Sequence, residues 1–334
     1  MLGRRDGQFA NRMAAENFEV FTFSGNGRSP ASLWKIRRYL RRVGPDVLHY
    51  NDSHALTSIG LAAWGLSIHA KVAARRVDFP IHSTLSYRWF CNRVVCVSRE
   101  VARVCRSGGI PDAMLRVVHD GVNPSRVAFG DRQRGRQSLN LTNDHLLLLT
   151  VAKLTDHKGH RFLLDAMPTV IQKYPHLIVA LAGDGELLDS LKQQAKQLGI
   201  ESQVRFLGYR QDVPDLIQAA DLFIHPSHME GLCSTLIEVM LAERTIVTTT
   251  AGGIPDLTGS DDPNMEPVAW VVPPRNPQAL AETILRALAS PEVCATMQQQ
   301  ARRRAESLFT ADHMVETTLN VYREVLENRA GRVR

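Results

Sequence analysis

Residues 222–255 read LFIHPSHMEGLCSTLIEVMLAERTIVTTTAGGIP, and the alternation inside this stretch decides the fold. The apolar run Leu222 to His225 reads as a short buried strand, Pro226 and Ser227 break it, and Leu236, Val239 and Met240 keep helical spacing after Gly231. A second strand follows at Thr245 to Thr249, then a turn holding Gly252 and Gly253, which let the backbone approach a ligand closely. A helix beginning near Ser234 points unpaired N–H groups and the positive end of its dipole back at the loop, an arrangement suited to phosphate. Glu230 lies in that loop. Glu238 lies about 6 Å further along the helix axis. A carboxylate at each end of an anion site suits a nucleotide-sugar, whose hydroxyls flank a diphosphate. Spacing alone equally allows a solvated helix Glu and an unrelated loop Glu.

Working outward, the same plan recurs. Leu146 to Val151 is a strand, and Lys153 and Lys158 lie in the loop between it and a helix running to about Tyr174. Two cations and exposed N–H groups there would clamp a diphosphate, unless the lysines are merely solvated. Leu177 to Ala182 is a strand ending in Gly183-Asp184-Gly185, a tight turn into the helix Glu186 to Leu198. Val204 to Leu207 is a strand followed by Gly208, Tyr209 and Arg210, placed for backbone bonds to a base edge. Trp270 to Val272 is the last strand, and helices start near Pro277, Pro291 and Ala311.

Before residue 144 the alternation continues upstream. A helix is expected over Gly7 to Asn17 with Phe9 and Met13 on one face, and the first clear strand at Phe18 to Phe23. Pro30 to Val43 is a basic amphipathic helix, with Leu33, Ile36, Leu40 and Val43 on one face and Lys35, Arg37, Arg38, Arg41 and Arg42 filling the rest. Strands at Asp46 to Tyr50, Ala70 to Arg75, Arg93 to Ser98 and Leu115 to Val118 follow, with a helix at Ala55 to Trp64. Asp78, just after the strand Ala70 to Arg75, is a candidate site carboxylate or a turn-capping residue. The polar, arginine-rich Asn123 to Asn143 reads as a linker. Strand and helix alternation on both sides of it implies α/β architecture with two doubly wound parallel sheets.

The chain has 334 residues, 44% of them hydrophobic, and a formal net charge of +6. That length suits two domains. No run approaches the roughly 18 apolar residues of a membrane span and no signal-peptide core opens the chain, so a cytoplasmic protein is expected. The five cysteines, at 91, 96, 105, 233 and 294, lack CxxC or His/Cys metal spacing and are expected to be reduced and mostly buried. Charge is uneven: residues 1–140 hold 22 Lys/Arg against 10 Asp/Glu. A basic half calls for an acidic partner. Nucleic-acid motifs are lacking, which leaves an anionic membrane surface, a phosphorylated acceptor, or simply a solvated basic face.

Taken in order, VAKLTDHKG, LAGDGE, RFLGY, DLFIHPSHMEGLCSTLIEVM and TAGGIPD resemble the retaining glycosyltransferases of family GT4, with its GT-B fold of two Rossmann-like domains facing a cleft and its E-x7-E motif. The resemblance covers residues 146–310 and, more weakly, 18–128 through PDVLHYND, CVSREV and HDGVN. It implies an acceptor-side domain over 1–140, a nucleotide-sugar-binding domain over 141–310, and a helix over 311–334 packing back toward the first domain. By the resemblance Glu230 holds donor-sugar hydroxyls and Glu238 the ribose. The backbone of Gly231, Leu232, Cys233, Ser234, Thr235 and Leu236 meets sugar and phosphates, with Gly183 and Gly208 nearby, and Tyr209 and Arg210 border the base. Lys153 and Lys158 neutralise the leaving diphosphate; Lys153 stands where an Arg is more usual, a point charge in place of a bidentate fork. Asp78 and Arg76 stand near the place of a family His. No metal or other cofactor is implied.

The activity implied is transfer of a hexose or heptose from a nucleotide-diphosphate sugar to a lipopolysaccharide-core or lipid-linked acceptor, by a cytoplasmic enzyme peripheral on the inner membrane face. The first family strand and its glycine loop are not recognised before Phe18, so the first domain is expected to lack its first strand. That leaves as alternatives a truncated or non-catalytic nucleotide-sugar-binding protein and, less favoured, an epimerase-type GT-B reaction.

Overall fold

The computed structural model describes residues 1–4, 8–23, 25, 27–81 and 83–330, with no account of the side chains of residues 4, 8, 9, 329 and 330. The expected helix start at Gly7 and the Phe9 half of the predicted face lie outside the described residues. The chain forms two compact units: residues 1–118 with 316–334, and residues 119–315. No helix among the described residues is long and apolar enough to cross a membrane.

Unit 1 runs β1 (Leu2–Arg4), α1 (Gln8–Ala15), β2 (Phe21–Phe23), α2 (Pro30–Val43), β3 (Val47–Tyr50), α3 (Ser53–Ala63), β4 (Ala70–Arg75), α4 (Leu85–Phe90), β5 (Arg93–Cys96), α5 (Arg99–Ser107) and β6 (Leu115–Val117). Strands β3 to β6 form a parallel four-stranded sheet in sequence order, and β1 pairs with β2 in a separate parallel pair. The expectation that no strand precedes the one near Phe18 is therefore corrected: Leu2 to Arg4 pair with Phe21 to Phe23. Three residues are too few for an alternating pattern to register, so the strand is invisible without its partner.

Helix α2 shows why its sequence folds locally. Ser29 accepts the Ser32 N–H at the N-cap, Pro30 occupies the first turn, and Gly44 at φ 58° closes the C-terminus by donating its N–H to the Leu40 carbonyl. Its buried face carries Ser32, Ile36, Tyr39 and Leu40, whereas Val43, expected inside, is exposed.

Unit 2 runs α6 (Ser125–Ala128), α7 (Arg132–Ser138), β7 (Leu146–Val151), α8 (His160–Lys173), β8 (Leu177–Ala182), α9 (Leu188–Gln197), β9 (Val204–Gly208), α10 (Val213–Ala219), β10 (Leu222–His225), α11 (Ser234–Leu241), β11 (Ile246–Thr249), α12 (Ile254–Thr258), β12 (Trp270–Val272), α13 (Pro277–Leu288) and α14 (Pro291–Leu308). The last helix, α15 (Ala311–Ala330), leaves unit 2 and continues into unit 1. The six strands are all parallel in the order β12-β11-β10-β7-β8-β9. Such a sheet, covered on both faces, needs apolar runs rather than alternation. Accordingly β8, LIVALA, is buried at every residue, and its Leu177, Val179 and Leu181 pack with Leu163, Leu164 and Met167 of α8 in one core.

The segment read as a linker is structured. Arg136 of α7 is buried and donates to the carbonyls of Thr142 and His145 (2.7 Å to the latter), and Arg134 forks onto Asp215 of α10 at 2.8–3.0 Å. Where unit 2 begins and ends, the chain pairs with itself: Val122 N–H donates to the Phe309 carbonyl (2.9 Å) and Ala311 N–H to the Val122 carbonyl (3.1 Å).

Candidate functional site

In a doubly wound sheet the strand order reverses at one point, and the loops leaving the two adjacent strands diverge to open a crevice. In unit 2 that point lies between β7 and β10, the first and fourth strands of the unit. The loops that diverge there are residues 152–159, carrying Lys153 and Lys158, and residues 226–233, carrying Glu230. Topology alone thus places the predicted lysines and the first predicted carboxylate at one crevice.

Side-chain geometry joins Lys158 to Glu230. Lys158 Nζ lies 2.6 Å from Glu230 Oε2, and His225 Nε2 lies 3.0 Å from the same oxygen. The Ser227 hydroxyl is 2.9 Å from His225 Nε2 and 3.4 Å from Glu230 Oε2. Glu230, His225 and Ser227 are all buried. Burial by itself raises a carboxyl pKa, but the hydrogen bond and charge of His225, followed by those of Lys158, overcome it and hold Glu230 at about 2. On His225, burial works against a charged ring, while the Cys233 sulfur near Nδ1 and the Glu230 carboxylate at Nε2 work for it; the ring is held up at about 9. Glu230 is therefore a fixed carboxylate between two cations. It can accept hydrogen bonds from hydroxyls and cannot act as a proton donor near neutrality.

Glycines make the loop fit. Gly252 has φ 53° and a methyl there would overlap the Glu230 carbonyl, which also accepts the Gly253 N–H at 2.8 Å. The close approach expected toward a ligand is thus made, at Gly252, to the peptide of Glu230. Gly159, at φ 72°, sits against the Pro226 carbonyl in the same way and locks the two loops together.

Glu238 takes a different partner. It is buried in α11, and its Oε1 lies 3.2 Å from the guanidinium of Arg126, an exposed residue of α6. Burial pushes its carboxyl up from the ordinary value and Arg126 pulls it back. Cys233 occupies the N-cap of α11 without a side-chain cap bond, and its carbonyl accepts the Leu236 N–H at 3.1 Å, so its side chain leaves the Ser234 and Thr235 N–H groups for an anion.

The remaining predicted residues are distributed as follows. Gly231 and Leu232, with Cys233, are buried in the loop; Ser234, exposed, Thr235 and Leu236 open α11. Lys153 is exposed. Gly183 N–H donates to the Gly208 carbonyl at 2.8 Å, which fixes the two turns to each other. Tyr209 is exposed, its N–H bound to Asp184 at 3.0 Å, and Arg210 forks onto Asp212, 2.7 Å from its Nε. Asp78 follows β4 in unit 1, half-buried.

Two residues of the buried cluster, His225 and Ser227, were not foreseen. Their signal was a polar HPS tripeptide ending an otherwise apolar strand five residues before Glu230. His225, Glu230 and Cys233 also bring potential metal-ligand atoms within 4.8 Å of one another. They do not suit one ion: Cys233 faces Nδ1 and Glu230 faces Nε2, and the lone-pair directions of the two nitrogens diverge. Lys158 already occupies the carboxylate.

Comparison with known proteins identifies the family. The family model for glycosyl transferases group 1 matches residues 131–304, and that for glycosyltransferase family 4 matches residues 4–126. Relatives include an uncharacterized glycosyltransferase of Methanocaldococcus jannaschii, 26% identical over 242 residues, covering 70% of this chain and 60% of that protein. Another is the lipopolysaccharide core biosynthesis glycosyltransferase LpsE of Rhizobium meliloti, 27% identical over 220 residues, covering 66% and 60%. The chain spans 51 to 60% of the length of the first three curated relatives it matches. Among solved structures, Anabaena Alr3699/HepE in complex with UDP superposes with TM-score 0.84 at 21% identity, covering 97% of this chain and 91% of that one. WaaG, described as a glycosyltransferase involved in lipopolysaccharide biosynthesis, gives 0.68 at 16%, covering 92% of each. With more than half of its length matched by the family model, and with the Rossmann-like units of a GT-B fold, the chain belongs to the glycosyl transferases group 1 family, of GT4 type.

Proposed function

We propose that this protein transfers a hexose or heptose, with retention, from a nucleotide-diphosphate sugar to a lipopolysaccharide-core or lipid-linked acceptor at the cytoplasmic face of the membrane. The observation that carries the reading is the buried Lys158–Glu230–His225 cluster at the switch point of unit 2, beside the uncapped start of α11. A carboxylate held at about 2 is a lasting acceptor for sugar hydroxyls. Glu238, one turn into α11, would take the ribose hydroxyls in exchange for Arg126. Gly231 to Leu236 would lay backbone N–H groups along the phosphates, with Tyr209 and Arg210 at the base.

Transfer then needs charge stabilisation on the departing diphosphate, which Lys153, Lys158 and the α11 N–H groups would supply. Lys158 would turn from Glu230 toward the phosphate as the sugar hydroxyls take its place on the carboxylate. The departing phosphate oxygen would accept the proton of the acceptor hydroxyl on the face where the new bond forms, giving retention. Support for a nucleotide-sugar donor comes from HepE, whose crystals hold UDP, UDP with glucose, and UDP-glucose. Support for an envelope acceptor comes from LpsE and from the E. coli O-antigen chain mannosyltransferase C, 30% identical over 205 residues.

Calorimetry with UDP, GDP and ADP, and with their sugar conjugates, tests the donor half. One series should bind, and Glu238→Ala should weaken it at least tenfold. Donor consumption with lipopolysaccharide-core and lipid-linked acceptors tests transfer. Binding without transfer to any acceptor would favour the non-catalytic alternative, and absence of nucleotide binding would overturn both.

A further inference from the structure

Arg275, in the loop between β12 and α13, has φ 59°, a left-handed backbone that a Cβ disfavours and that glycine adopts without strain. A residue held this way stays in place where its contacts offset the strain. Arg275 is exposed, and its Nη2 donates to His228 Nδ1 at 3.0 Å. An arginine has only donors, so Nδ1 accepts and the proton of the ring sits on Nε2. Nε2 faces Asp156 Oδ2 at 3.2 Å, and the His228 side chain is only 3% exposed. The other Asp156 oxygen takes Arg161 at 3.3 Å, and the ring of Phe162 meets that of His228 edge-on at 5.9 Å between centroids. The His228 N–H donates to the His157 carbonyl at 2.9 Å. Asp156 stands two residues before Lys158, and His228 two before Glu230. A second tie between loops 152–159 and 226–233 thus runs beside the Lys158–Glu230 pair and uses neither member of it, with Arg275 reaching in from a third loop.

We propose that Arg275, His228 and Asp156 are positioning residues for the donor sugar, holding Glu230 and Lys158 in register while a nucleotide-sugar is bound. This role rests on the donor reading above, in which sugar hydroxyls displace Lys158 from Glu230 and the ammonium turns to the phosphate. The inner ion pair then no longer ties the two loops, at the stage where a misplacement of about 1 Å is most damaging. The outer tie keeps all its partners through that exchange. In the free protein both ties are present, so loss of the outer one shows only when the donor sugar is bound. The fixed tautomer matters for the same reason. With Nδ1 held by Arg275, the Nε2 proton has one direction, toward Asp156. Without Arg275 the ring is free to flip or to carry its proton on Nδ1, and the Asp156 carboxylate then faces a bare nitrogen. A contact that served stability alone would not keep a strained arginine where glycine fits.

The test compares wild type, Arg275→Gly, Asp156→Ala and Asp156→Asn by calorimetry with UDP and UDP-glucose, GDP and GDP-mannose, and ADP and ADP-glucose. In the series that binds, Arg275→Gly and Asp156→Ala should weaken the sugar conjugate roughly tenfold or more, while affinity for the bare nucleotide changes less than about twofold. Asp156→Asn, which keeps an acceptor oxygen for the Nε2 proton, should retain most of the affinity for the conjugate. The melting temperature of Arg275→Gly should equal or exceed that of the wild type, because φ 59° suits glycine. Heteronuclear NMR of the imidazole nitrogens, with the His228 signals identified by their absence in His228→Gln, should place the proton on Nε2 in the wild type. Unchanged conjugate affinity in Arg275→Gly, equal losses for conjugate and bare nucleotide, or a wild-type His228 protonated on Nδ1 would each overturn the role and leave the transfer reading standing. A wild type that binds neither nucleotide nor conjugate would overturn the transfer reading and this role together.

Discussion

Replacing Glu230 by Gln keeps the shape of the buried cluster and removes its one negative charge. His225 then loses the Glu230 share of what holds it up, while burial still opposes its charge and Cys233, the larger of the two raising partners, still favours it. In the wild type the His225 pKa rises from 6.5 to about 9, which corresponds to about 3 kcal/mol of added stability. Glu230, lowered from 4.5 to about 2 by His225 and then by Lys158, shares only the His225 attraction with that shift, so that part is counted once. A raised histidine stabilises fully below pH 6.5 and loses that contribution as pH rises to about 9. A depressed carboxylate stabilises fully above 4.5 and loses it as pH falls to about 2. The pair is therefore at full strength between pH 4.5 and 6.5. Glu230→Gln should cost less than about 3 kcal/mol at pH 6, because Cys233 supplies more of the His225 shift than Glu230 does. The deficit should narrow toward pH 9, leaving only the Lys158 contribution. Urea titrations from pH 5 to 9 would measure this, with Trp34, Trp64 and Trp89 replaced by Phe so that Trp270, the lone tryptophan of residues 119–315, reports unit 2. A wild type whose stability is level from pH 6.5 to 9, with Glu230→Gln running parallel, would refute a charged His225.

Arg126→Ala should lower stability by less than about 1 kcal/mol in a denaturant titration, because the guanidinium is largely exposed; calorimetry should show nucleotide binding retained or tightened, in contrast to its loss in Glu238→Ala. Gly252→Ala should displace the Glu230 loop and destabilise unit 2 by about 1–3 kcal/mol, since the new methyl meets both a left-handed backbone and the Glu230 carbonyl; a thermal melt and the same calorimetric titration would detect both losses.

Legibility in the sequence followed length and buried apolar content. The strands LLLLTV and LIVALA match the structure residue for residue, because an unbroken apolar run between turn signals has no other reading in a covered parallel sheet. Helices α4, α6, α7, α10 and α12 have four to seven residues and passed unread, since fewer than two turns cannot display a 3.6-residue period. The supposed linker misled for a different reason. Its arginines look like solvated charge, and their partners Asp215 and Asp221 lie some 80 residues away. In the site, Lys158 and Glu230 were each recognisable from a local strand-loop-helix pattern. Their ion pair spans 72 residues and exists only because β7 and β10 are neighbours. His225 was read as the end of a strand, because a buried charged histidine is recognisable only by the carboxylate beside it.

The self-pairing of Val122 with Thr310 makes unit 2 an insertion closed at its neck. The chain enters and leaves through adjoining residues, so the whole of 119–315 behaves as a cassette held by two junctions, at 118/119 and 315/316. A cassette of this kind can be exchanged for a relative's by rejoining the chain beside the paired residues Val122 and Thr310. Under the proposed function, donor preference would then travel with the insert while unit 1 stays with the host.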